Sequence, residues 1–76
     1  MTPSDRADYL RSASFLANSH AGIRFLLLVI RSGGPAADVC RTVLENAREG
    51  NESFSVRQWA REALAEFDAV PRKVTP

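Results

Sequence analysis

One stripe runs Tyr9, Ala13, Leu16, His20, Ile23, Leu27 and Ile30, alternating steps of four and three residues over the first thirty positions. A strand would repeat every two residues, so this spacing commits the segment to helix. The stripe has a weak point. Asn18 and Ser19 are good N-cap residues and Gly22 weakens a helix by about 1 kcal/mol, which favours a split into two helices near Asn18 to His20 while leaving one continuous helix over 3–31 open. Upstream, Thr2-Pro3-Ser4-Asp5 has the order of a helix start, with Thr2 as cap and Pro3 in the first turn.

Gly33-Gly34-Pro35 closes this part of the chain: Gly33 suits a left-handed cap and Pro35 a new first turn. A third helix follows from about Pro35 to Glu49, with Ala36, Cys40, Val43 and Ala47 on one face and Val39 and Leu44 beside them. Gly50-Asn51 stops it. For the fourth helix, Ser55 and Gln58 match a capping box, and Phe54 and Trp59 stand where a hydrophobic staple would close. Its apolar face is Val56, Trp59, Ala60, Ala63, Leu64, Phe67 and Val70. Pro71 bars extension, leaving residues 71–76 as a flexible tail. The run Phe25 to Ile30 is compatible with a strand by periodicity alone, but a lone strand has no partner within the chain.

The fold class is therefore all-α: one domain over residues 1–76, a small bundle of three or four short helices. Its expected core is Leu16, Ile23, Leu27, Ile30, Val43, Leu44, Trp59, Leu64 and Phe67. Eleven of the apolar residues are alanine and one is cysteine, leaving 22 large side chains, so the core is narrow. Six consecutive apolar residues, Phe25 to Ile30, wrap more than one helical turn. That helix is either central on all sides or shares a face with another chain, and a homodimer is one way to cover it.

Composition removes several function classes. Ten basic and nine acidic residues give a net charge of +1, which argues against a dedicated electrostatic nucleic-acid or membrane binder. The longest apolar run is far short of the roughly 20 residues a bilayer requires, and the first residues lack the basic-then-apolar order of a secretory signal. With Cys40 as the single cysteine there is no internal disulfide framework, and the expected localisation is cytoplasmic. No His, Cys or carboxylate set has zinc spacing, Gly33-Gly34 lacks the rest of a phosphate-binding fingerprint, and no cofactor is implied. His20 and Cys40 would make a base and a nucleophile only if the fold brought them together. Both lie on expected apolar faces, where packed and inert forms are commoner, so the chain is not expected to be an enzyme.

The charge order is more informative. The first three helical segments broadly follow the helix dipole, with Asp5 and Asp8 early, Arg31 late, Asp38 early and Arg48 late, but the fourth carries Arg57 and Arg61 early and Glu62, Glu66 and Asp68 late. Helical spacing sets Arg57, Gln58, Arg61 and Glu62 on the face opposite Trp59 and Phe67, a basic-then-acidic strip for a partner. Nine of the ten basic residues are arginine. Arginine is enriched at interfaces, although a GC-rich coding sequence yields the same bias.

The leading expectation is a small non-catalytic protein that binds a protein partner as inhibitor, adaptor or subunit, a type frequent in phages and mobile elements. The alternative is a helix-turn-helix DNA-binding regulator reading bases with Arg57, Gln58 and Arg61. Against it stand the long connection from Gly50 to Phe54, the acidic second half of the helix and the near-neutral charge. No motif is dense enough to assign a family.

Overall fold

The computed structural model describes residues 2–69; Val70, Pro71 and the 71–76 tail of the sequence reading lie outside the described residues. Four helices follow one another: α1 (Pro3–Leu16), α2 (His20–Ser32), α3 (Pro35–Gly50) and α4 (Phe54–Ala69). The protein is a small all-α bundle, as the periodicity requires, and the Phe25 to Ile30 run is the middle of α2.

The early stripe is broken where the caps predict. Ser19 caps α2, its side chain accepting from the Gly22 N–H at 3.0 Å, while Asn18 donates to the Ser14 and Phe15 carbonyls that end α1. Gly22 is needed here for space: a Cβ at this position would lie 1.8 Å from the Leu16 carbonyl oxygen. Any larger residue would push α1 and α2 apart. At the next joint Gly33 and Gly34 both have positive φ, 77° and 90°. The ψ of Gly33 is −171°, so it occupies the extended glycine-only region rather than the left-handed helical cap expected from sequence.

α1 runs alongside α3, with Arg6 reaching Asp38 near their starts and Asn18 bonding Asn51 near their ends. α2 and α3 each pack against every other helix, whereas α1 and α4 do not touch. The two middle helices are thus the spine, flanked by α1 and α4, and the molecule is only 19 Å deep in its thinnest direction. That is a two-helix thickness.

Ile23, Leu27, Ile30, Val43, Leu44 and Leu64 are buried as expected, joined by Leu26, Val39, Cys40, Val56 and a set of alanines. Alanines at Ala13, Ala17, Ala47, Ala60 and Ala63 let the helices approach closely, which is how a chain with few large side chains fills its interior. Three expected core members are different: Leu16, Trp59 and Phe67 are only partly buried and pack against the cluster from its edge. His20 is exposed, not core, because α2 begins there and its ring lies against Trp59 at 5.3 Å in an edge-on arrangement. α2 is not enclosed on all sides: Phe25 is 52% and Leu28 59% exposed.

Candidate functional site

The start of α4 is set by its loop. Ser53, not Ser55, is the cap: its hydroxyl accepts from the Val56 N–H at 3.3 Å, and its own N–H donates to the Asn51 side chain at 2.8 Å. The helix therefore begins at Phe54, which stands inside the first turn and not before the cap where a staple residue belongs. With Phe54 as the first helical residue its ring points to solvent, 70% exposed, under the Arg57 guanidinium at 5.8 Å. Arg57 also donates to the backbone carbonyls of Asn51 and Glu52. Its charge thus ties the α3–α4 connection to the first turn of α4.

The reversed charge order of α4 has a tertiary cause. The guanidinium of Arg24 on α2 donates two bonds to Glu66, at 2.7 and 2.9 Å, and Arg31 one turn-pair further donates at 3.2 Å. These hydrogen bonds, chiefly from Arg24, hold the Glu66 carboxyl well below the usual range, at about 2. Asp68 meets Arg41 of α3 at 3.6 Å, and the same arginine lies over the Phe67 ring. Acids near the end of α4 face arginines on the two central helices, and those pairings offset the small dipole cost.

Of the four residues singled out by spacing, Arg57 and Gln58 are half-buried and Arg61 and Glu62 exposed. Gln58 donates weakly to Glu62 at 3.4 Å. Arg61 is different from Arg6, Arg24, Arg31, Arg41 and Arg48: it forms no ion pair or hydrogen bond with any described residue. Phe54, Gln58, Arg61 and Ala65 follow at steps of four, three and four, so they make one ridge with Glu62 at its side. Phe54 escapes the sequence reading because an aromatic beside a Ser-x-x-Gln pattern looks like a staple; the earlier cap at Ser53 is the signal that frees it.

The other candidates are kept apart. Cys40 is fully buried beside Tyr9, and burial pushes its thiol up, so it is held protonated. His20 faces Trp59 instead. No group of three metal-ligating side chains converges among the described residues, and no helix there is long and apolar enough to cross a membrane. A shallow cleft of about 260 Å³ lies between α1 and α3, over Ala17, Val43 and Ala47 with Ser14, Asn46 and Asn51 at its rim. It is smaller than the usual small-molecule site. No family model, curated protein or solved structure matches this chain.

Proposed function

We propose that this chain is a non-catalytic binding module, docking on a protein partner as inhibitor, adaptor or subunit through the outer ridge of α4. The observation that carries this reading is the exposed Phe54 ring on the same ridge as Arg61. An aromatic and an arginine together are the residue types that dominate interface energetics. Arg61 supplies an unspent charge for a partner carboxylate, and Glu62 beside it favours a basic neighbour. Arg57 is a support of this site, since it secures the turn from which Phe54 projects.

Two features favour a protein target over the DNA-binding alternative. Arg57 is drawn into its own loop and so is a poor reader of bases. Arg41 meets Phe67 and Asp68 at one end of the α3–α4 pair while Asn51 and Arg57 meet at the other. The two helices therefore pack along their whole length, not at the steep angle of a helix-turn-helix.

Capture from native lysate with and without nuclease tests the reading. The wild type is expected to retain a stoichiometric protein after nuclease, and Phe54→Ala and Arg61→Glu to lose it while keeping the helical circular dichroism signal. Retention by both variants would remove the site from α4. Capture of nucleic acid alone, abolished by nuclease, would put the DNA-binding reading first.

A further inference from the structure

The four helices are not held equally. α2 buries Gly22, Ile23, Leu26, Leu27 and Ile30, and α3 buries Val39, Cys40, Val43, Leu44 and Ala47. α1 is one residue longer than α2 yet buries only Ala13, with Tyr9 and Leu16 half-covered beside it and Phe15 turned out to solvent. A methyl group takes far less apolar area out of water than a leucine or isoleucine side chain. The polar ties are weak as well. Arg6 to Asp38 and Asn51 to Asn18 are both exposed and both 3.4 Å long, against 2.7 and 2.9 Å for the bonds from Arg24 to Glu66. The cleft over Ala17, Val43 and Ala47 lies along this same seam, so α1 and α3 do not close on each other there.

α1 is also self-contained. Thr2 accepts from the Asp5 N–H at its start, and Asn18 donates to the Ser14 and Phe15 carbonyls at its end, while Ser19 caps α2 in the same local way. The joint at residues 17–19 can therefore turn without either helix losing its cap. Because α1 and α4 do not touch, α4 keeps its packing on α2 and α3 when α1 leaves. On the α1 side of α3, Cys40 is fully buried beside Tyr9.

We propose that α1 is a hinged strap: it swings off the α2–α3 pair about residues 17–19 while α2, α3 and α4 stay packed, and its opening bares the Cys40 thiol. Once released, a helix of 14 residues is marginal in water, so α1 loses its backbone hydrogen bonds soon after it undocks. Its own amides then report the opening, which costs less than unfolding the spine.

This proposal is independent of the α4 ridge, and its test uses the full chain without a partner. Native-state hydrogen exchange in urea below the unfolding midpoint should find the amides of Leu10 to Leu16 about 100-fold or more less protected than those of α3 around Leu44. Their exchange should hardly respond to urea, since opening exposes little surface. Alkylation of Cys40, the single cysteine, should outrun the rate that global unfolding allows by a similar factor. Tyr9→Ala should raise both rates about 5-fold or more by removing the largest side chain of the α1 contact. Val56→Ala separates the two routes. It loosens a part that stays packed in the closed and the open state alike, so it should lower the urea midpoint and leave both rates unchanged. α1 amides with the protection and urea response of α3, rates indifferent to Tyr9→Ala, or a Cys40 rate that rises with Val56→Ala in step with global unfolding would each overturn the proposal.

Discussion

Glu66 joins α4 to α2 through two arginines seven residues apart, Arg24 and Arg31, that stand on one side of α2. Its folded carboxyl titrates at about 2 against an ordinary value of 4.5, so the folded state binds its proton less readily than the unfolded chain. The stabilisation is therefore complete above about 4.5 and is lost as the pH falls toward 2. Glu66→Gln is expected to melt below the wild type at pH 6, with the gap narrowing steadily under acid; thermal scans by circular dichroism across that range check it. A gap independent of pH would mean that the substitution acts through packing. The sequence shows both arginines and the misplaced acid on α4, but not that they meet. Helical spacing relates residues along one helix, whereas this contact depends on how α2 and α4 lie together.

At the scale of elements, the caps decide which side chains are free. Ser53→Ala should cost about 1 kcal/mol, the usual loss for an N-cap, and Ser55→Ala only a few tenths. Urea unfolding of the two variants separates them, and the reverse order would restore the start at Ser55. Existence and order of all four helices are legible in the sequence, because Ser19, Gly33-Gly34-Pro35 and Gly50-Asn51 punctuate the apolar stripes. The start of α4 is displaced because two serines compete. Ser55 has the better local pattern, with Gln58 three residues on, yet Ser53 is held by Asn51, and Arg57 fastens the same loop. Those contacts run backward across the turn, outside the capping pattern. Two residues of displacement turn Phe54 from a staple into an exposed ring, so a small error of boundary changes the reading of the candidate site.

Over the whole molecule, size alone misleads about which residue matters most for stability. Trp59 is the largest side chain and belongs by periodicity to the apolar face of α4, but α4 is a flanking helix and the ring sits at the margin of the core against His20. Leu44 is smaller and lies on the central α3, with none of its surface exposed. Truncating a fully buried leucine typically costs 2–5 kcal/mol, while a half-buried tryptophan can leave part of its volume to water and lose less than the 3–5 kcal/mol of a buried one. A chain of 76 residues has a total stability of roughly 4–11 kcal/mol, so a loss at the upper end of the leucine range would unfold a large fraction of the molecules. Leu44→Ala is therefore expected to shift the urea midpoint further than Trp59→Ala, and the tryptophan variant to remain folded at room temperature. The opposite order would mean that the α4 side of the bundle, not the α2–α3 spine, holds most of its stability.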